Sequence, residues 1–572
     1  MMKRKRILSL LLAAALAVLA ALPCSAAHYE PFEHPDVSFS DVVYTGVDRA
    51  AADALCARFA RDPLGEYDAL VALYDELYTQ CELAYVLLCE NADDAAYSAA
   101  YEQAENDFDY ASDRLFLALS EALDGPEGDA LRAQMPEGEA DAFSGYEAAG
   151  GEELAALSEE TALMQEYYLL PDDDAFPEAA AELYLRLTAL RRAQAEEAGF
   201  DSYSEYAYQA HYAREYGPGD IARLRETVRE RLAPLYVRCV RALDERRPPW
   251  DDDDVPSGDE ILAALAAHMG EVSPELTEAM DFLLRSGFFC VGSGDELYDG
   301  GFTTTLPAYG APFLFNKVST RFDAFQSTVH EFGHFNAAYH DPTPALYQYA
   351  GTDLSELQAQ GLEMLFLPCL QDILAGEDEA DRAYVTLTAL STMLSSLIDG
   401  CLYDEFEQAV FADPDMTTED LFALEMQLYR DYGLDAVYEL EPFWPYIPHL
   451  FDQPFYYVSY AVSALPALDV WLRAQDDRAA ATEAYLNVSA ARTDAWFLDV
   501  VEENSLCDVT SRRDLARLAD GLERELAPLL DEAADGAQTL SVWWIAATVV
   551  LGACVLLVWK RRQLDREAEE WL

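Results

Sequence analysis

Positive charge is what this sequence of 572 residues has least of: 37 Lys and Arg stand against 106 Asp and Glu, a formal net charge of −69 at pH 7. A chain so poor in cations cannot neutralise a phosphate backbone, which excludes nucleic-acid binding as a default function. The same imbalance describes a very soluble, self-repelling surface; it would also favour basic peptides, although charge spread over a whole surface means solvation first. Histidine is scarce too, at 8 residues. The 10 Cys show no metal-type spacing, and no fixed-period repeat points to a solenoid.

What the chain does have is organised by its two ends. Met1-Met2-Lys3-Arg4-Lys5-Arg6, the uncharged run Ile7 to Leu22 and Ser25-Ala26-Ala27 read as a secretory signal peptide over residues 1–27, cut near Ala27. Cys24 raises a lipoprotein anchor, but Pro23 occupies the place where such signals need a small residue. Leu540 to Trp559 is an uncharged run of 20 residues followed at once by Lys560-Arg561-Arg562. That is long enough to cross a bilayer, with Trp543, Trp544 and Trp559 suited to the interfaces and the basic cluster expected in the cytoplasm. The expectation is a single-pass membrane protein, with a transmembrane helix at 540–559, a cytoplasmic tail at 560–572 and the bulk of the chain outside the cell. Export permits disulfides, yet Cys369 and Cys401 sit in apolar helical runs and suit isolated buried thiols equally well.

Between the ends the pattern is mainly α. From Asp48 to Asp244 apolar residues recur at helical spacing among Ala, Leu, Glu and Arg, as in Pro177 to Ala198 before the stop at Gly199. This predicts an N-terminal helical lobe over residues 28–244. Arg246-Arg247-Pro248-Pro249-Trp250-Asp251-Asp252-Asp253-Asp254 marks an exposed connection. A second region, 245–537, resumes as helices from Asp259 and has a short strand segment only around Thr303 to Phe315.

The second region holds His330-Glu331-Phe332-Gly333-His334. At about 3.6 residues per turn His330 and His334 share one helix face while Glu331 sits roughly 100° away. Two imidazoles beside a carboxylate suit a catalytic zinc, which lowers the pKa of a bound water while the carboxylate takes its proton, so hydrolysis is the expected chemistry. A three-ligand site needs one more donor. Beyond the break at His340-Asp341-Pro342-Thr343-Pro344 a second helix is expected, capped by Asp353 or Ser355, with Glu356 in its first turn. Glu363 lies two turns further on the same face and is placed to orient a ligating histidine.

These residues resemble the oligoendopeptidase F and thimet oligopeptidase family of zinc metallopeptidases, which pairs a His-Glu-x-Gly-His helix with a glutamate some two dozen residues on and another seven later. Gly300-Gly301-Phe302-Thr303 through Pro312-Phe313-Leu314-Phe315-Asn316 is similar to the family's substrate-binding strand segment. Pro448-His449-Leu450-Phe451-Asp452-Gln453-Pro454-Phe455-Tyr456-Tyr457-Val458-Ser459-Tyr460-Ala461 is similar to its downstream histidine and tyrosine cluster, and Leu187 to Tyr206 to its N-terminal helical region. Ala337 and Gln358-Ala359 depart from the family's usual third histidine and Pro-Ser.

The resemblance implies a two-lobed helical metallopeptidase with a deep cleft and a small β-sheet near the zinc helix. It implies one Zn2+ per chain on His330, His334 and Glu356, with Glu331 as base. Tyr460 and His449 would act at the oxyanion, together with Tyr457 or its competitor Tyr456. Short peptides would be the substrates, cut internally and held as a strand alongside Pro312 to Phe315. A peptidyl dipeptidase resembling angiotensin-converting enzyme and an inactive peptide-binding receptor are the alternatives.

Overall fold

The computed structural model describes residues 28–29 and 34–535, except 137, 147–150, 172, 349–350 and 494. The expected signal peptide, transmembrane helix and cytoplasmic tail lie outside these residues. By backbone contacts the chain divides into Met1–Glu33 and His34–Leu572, and the second unit carries every element below.

The fold is mainly helical. Helix α1 (Pro63–Glu90) begins where Asp62 accepts from the Gly65 N–H at 3.0 Å and Pro63 fills the first turn. It packs on α2 (Ala95–Leu123), the two burying Leu70, Leu77, Leu115 and Leu119 in a core that also takes Tyr347. Helix α3 is Phe176–Glu197; α4 (Gly258–Val272) follows the Pro- and Asp-rich connection.

Next comes a sheet of β1 (Phe289–Gly292), β2 (Gly301–Leu306) and β3 (Ala311–Lys317), in the order β1-β3-β2. β1 runs parallel to β3, while β2 is antiparallel to it, with Thr303 opposite Leu314. The expected strand segment is therefore a β2–β3 hairpin, and β1 is an addition too short to announce itself. One expectation is corrected. Pro312 to Phe315 lies on the central strand, buried, paired with β2 throughout and with β1 at Leu314 and Phe315, so a peptide has little backbone left to pair with there. Among the described residues β1 and β2 are the two edge strands, and β2 is the one whose residues line the cavity described below.

Helix α5 (Arg321–His340) carries the His-Glu-x-x-His motif and starts at Thr320, which accepts from the Asp323 N–H at 3.2 Å. It crosses α6 (Thr352–Leu374), which is buried along most of its length and also packs on α7 (Glu379–Ala412) and α8 (Val458–Asp476). Helix α7 is long and apolar, but 83% of its most apolar stretch is buried, which makes it a core helix. Helix α9 (Arg478–Ser489) closes this core, its Tyr485 hydroxyl donating to the Gln358 carbonyl at 3.1 Å.

Gly333 explains how closely α5 and α6 approach. A Cβ there would lie 2.5 Å from the Ala359 Cα, so only glycine permits the contact that sets the α5 histidines against Glu356. The expected cap of α6 is also corrected. The helix begins after Gly351 with no side-chain cap, and Asp353 and Ser355 are turned to other partners.

Candidate metal centre

Three donor atoms converge where α5 crosses α6. His330 Nε2 and His334 Nε2 are 3.2 Å apart, Glu356 Oε2 is 3.5 Å from His330 Nε2, and all three lie within 4.8 Å of one another. The opposite ring nitrogens are engaged. His330 Nδ1 is 2.7 Å from Glu363 Oε1, and His334 Nδ1 is 3.0 Å from Ser355 Oγ. These contacts fix the rings with Nε2 facing inward, the arrangement that outer partners give ligating histidines. Glu363 is itself oriented by Gln326, whose Nε2 donates to it at 2.9 Å.

The charge balance calls for a cation. Glu331, Glu356 and Glu363 surround two imidazoles, and burial alone would depress His330, but the hydrogen bond and charge of Glu363, with Glu356 and Glu331, outweigh it and lift His330 to about 10. Burial and the neighbouring His330 charge push His334 well below the ordinary histidine value. Burial raises Glu356, whose Oε2 is buried without a hydrogen-bond partner. An orphaned carboxylate oxygen beside two inward-facing imidazole nitrogens fits a divalent metal with His2Glu ligation.

Glu331 is held off this triangle. Thr303 Oγ1 of β2 donates to its carbonyl at 2.9 Å and reaches its Oε2 at 3.2 Å, and a Cβ on Gly301 would come within 2.9 Å of its Oε1. Burial above all, with repulsion from Glu356, pushes its carboxyl up to about 7 despite His330 and Thr303. The sheet thus places a readily protonated carboxylate beside the donor triangle. All of this opens on a cavity of about 750 Å³, whose wall includes Tyr78 of α1, Gly301 to Thr305 of β2, His449, Tyr456 and Tyr460.

Neither a protein-family model nor a curated protein matches the chain, but solved structures do. A protein described as an oligoendopeptidase F superposes with a TM-score of 0.71 at 20% identity, covering 87% of this chain and 100% of that one. PZ peptidase A, solved with an inhibitor, gives 0.71 at 18% identity, with 87% and 100% covered. Oligoendopeptidase-F from Enterococcus faecium gives 0.54 at 15% identity, with 85% and 96% covered. The chain has the oligoendopeptidase F fold.

Within that fold the aromatic cluster divides. Tyr456 donates to Glu356 Oε1 at 3.0 Å, and Tyr460 lies beside it, with ring centres 5.3 Å apart. Tyr457 stands behind them. Its ring packs on Tyr403 at 5.4 Å, on His449 at 5.5 Å and on Tyr460 at 5.6 Å and is absent from the cavity wall, so of the competing pair it is Tyr456 that faces the donor triangle. Register decides this, because Tyr457 directly precedes α8 and neighbouring residues at a helix start face different ways. His449 sits in the wall with its Nδ1 buried and without a hydrogen-bond partner, and burial lowers its pKa, keeping it neutral. Its short helix (Pro448–Asp452) is tied to α3, where Arg191 donates to the Phe451 carbonyl at 2.5 Å.

Of the outer supports, sequence spacing names Glu363, which lies 2.7 Å from His330 Nδ1, and misses the others. Ser355 and Thr303 carry no signal beyond being hydroxyls near a motif. Asp353, expected as a cap, is buried, accepts from the Tyr216 hydroxyl at 2.7 Å and faces Arg214 at 3.6 Å.

Proposed function

We propose that this chain is a zinc metalloendopeptidase that hydrolyses internal bonds of short peptides. The observation that carries the reading is the convergence of His330 Nε2, His334 Nε2 and Glu356 Oε2 beside the Glu331 carboxylate, in a cavity bordered by an unpaired strand edge. Zinc, when bound, supplies a Lewis acid that polarises a water and the scissile carbonyl.

The chain's own residues supply the rest. The β2 edge at Gly301 to Thr305 pairs with an extended peptide backbone, which gives affinity without reading sequence. Glu331 accepts the proton of the attacking water and returns it to the leaving nitrogen, a task suited to a carboxylate whose pKa burial has raised. Tyr460 and His449 offer hydrogen-bond donors to the carbonyl oxygen as it gains negative charge. Tyr456 holds Glu356 in place through its other oxygen. A two-lobed cleft that admits only flexible chains belongs to the same proposal, as do a cleaved leader at 1–27, an anchor at 540–559 and an outward-facing active site, which rest on the sequence pattern alone.

Mass spectrometry of a peptide mixture incubated with the protein tests the reading. Cleavage at internal bonds, abolished by a chelator and by Glu356→Ala together with loss of zinc, is expected. Cleavage that requires a free C-terminus would instead mark a peptidyl dipeptidase. Binding without cleavage would mark a receptor. Hydrolysis of an impermeant peptide by intact cells tests the orientation, and activity that emerges only after lysis would reverse it.

A further inference from the structure

A second group of metal-type donors lies where α4 packs on α6, away from the site above. His268 and Glu271 stand three apart on one face of α4, with His268 Nδ1 2.9 Å from Glu271 Oε1. Cys369 of α6 faces them, and one donor atom from each of the three residues lies within 4.8 Å of the others. Ligands on a tetrahedral zinc stand roughly 3.5 Å apart, given bonds of about 2.0 Å to nitrogen or oxygen and 2.3 Å to sulfur, so small side-chain rotations close the difference. The two α4 residues can make them, since their side chains are 25% and 57% exposed. Cys369 is buried and free, and its thiol lies 4.0 Å from the His268 carbonyl.

We propose that His268, Glu271 and Cys369 form a second metal site, which takes one thiophilic divalent cation of the zinc type and pins α4 to α6. A thiolate with an imidazole and a carboxylate is a zinc donor set, and the exposed side leaves the fourth position to water. Glu356 and Cys369 sit about 20 Å apart along α6, so the two sites fill independently. Binding replaces the S–H bond with a metal–sulfur bond and releases that proton to solvent. Burial, reinforced by Glu271 and Asp372 and opposed by Arg478, pushes the Cys369 thiol up to about 11, so affinity rises with pH and each ion bound at neutral pH releases one proton.

Cobalt(II) separates the two sites, because only this one contains sulfur. Titrating the full-length chain with Co2+ should load two ions, and a thiolate-to-cobalt charge-transfer band should grow with one of them. Cys369→Ser should lose the band and one equivalent while keeping peptidase activity. His268→Ala and Glu271→Ala, both at the surface, should weaken the band-forming ion at least ten-fold and guard against a Cys369 variant that fails to fold. His330→Ala should keep the band, which makes the result independent of the peptidase reading. A saturated protein without the band, or a band that survives Cys369→Ser, would overturn the proposal.

Discussion

The backbone N–H of Phe455 donates to both oxygens of the buried Glu407 carboxylate, at 2.9 and 3.0 Å. Phe455 has φ +67°, a left-handed conformation that costs a non-glycine residue about 1–3 kcal/mol unless its surroundings impose it. They do so from both sides of the residue. Its carbonyl accepts from Arg214 Nη2 at 2.9 Å, and the same nitrogen donates to Ser459 Oγ of α8 at 2.8 Å. The next residue is Tyr456, whose hydroxyl rests on Glu356. A buried carboxylate outside the candidate site therefore fixes the position of a residue that touches one of the candidate metal ligands.

Glu407→Ala leaves the Phe455 N–H buried and bare, a loss of about 1–3 kcal/mol of stability. It should also free Tyr456, lowering kcat about ten-fold with zinc content unchanged. Burial pushes the Glu407 carboxyl well above its usual range, so Glu407→Gln, which keeps an acceptor and the shape, should stay close to wild type. Denaturant unfolding, metal analysis and kcat on the three proteins decide the matter. Equal kcat in all of them would reduce Glu407 to a purely structural part.

How far the site was legible follows from what periodicity encodes. The spacing of His330, His334, Glu356 and Glu363 names helix faces, and those faces meet. It names Glu363 but not the other outer partners, which is why Asp353 and Ser355 read as caps when one pairs with Tyr216 and the other orients His334. Nor does an aromatic residue announce positive φ, so the turn at Phe455 that presents Tyr456 in place of Tyr457 was invisible. The strand pattern locates the β2–β3 hairpin but not that β3 is the central strand, because β1, which covers its other side, has only four residues.

Gly333→Ala changes no ligand yet should weaken metal binding. Its Cβ would meet the Ala359 Cα at 2.5 Å; the one is fixed rigidly to a helix backbone and the other is part of one, so neither can swing aside. Overpacking of this kind costs about 1–3 kcal/mol. Pushing α5 off α6 widens the gap between His330 and Glu356, so the zinc dissociation constant should rise at least ten-fold. Competition against a chromogenic chelator reads this directly, and unchanged affinity would show that the crossing tolerates the methyl group.

Glu331→Gln should retain the metal and the peptide while losing turnover by several orders of magnitude. The carboxylate hangs from Thr303, outside the triangle of ligand atoms, so zinc content and KM have no reason to move. If zinc leaves with this substitution, Glu331 is a ligand and the base lies elsewhere.

Glu425 supplies a pH dependence remote from the candidate metal site. It is fully buried and accepts from the Phe443 N–H, the Trp444 N–H and the Tyr403 hydroxyl, yet burial prevails over these bonds and raises its carboxyl to about 7 from 4.5. The folded state thus holds a proton that the unfolded chain has released between those values. Its contribution is complete below pH 4.5 and is lost as pH rises to 7, on the order of 1 kcal/mol per pH unit. Glu425→Gln should be less stable at low pH, since an amide satisfies the three donors poorly, but its stability should fall less steeply across this window. Urea unfolding at pH 5, 6 and 7 measures both slopes, and parallel slopes would remove Glu425 as their source.

The tyrosines offer the sharpest test of the transition-state assignment, because three neighbours differ by one atom's removal. Tyr460→Phe takes away a donor facing the cavity, and a donor used only as the carbonyl oxygen gains charge affects kcat without affecting substrate binding. A loss of about 10²-fold in kcat with KM within two-fold is expected. Tyr456→Phe removes the hydrogen bond to Glu356 Oε1, so it should loosen zinc as well as slow turnover, giving a mixed effect in which added metal restores part of the rate. Tyr457→Phe should change neither by more than about two-fold, since that residue is absent from the cavity wall and phenylalanine keeps the ring that packs on Tyr403, His449 and Tyr460. The three variants assayed at low and saturating zinc give three distinct signatures. If Tyr457→Phe proves the most damaging, the register of the chain entering α8 differs from the one described, and the oxyanion donor is Tyr457.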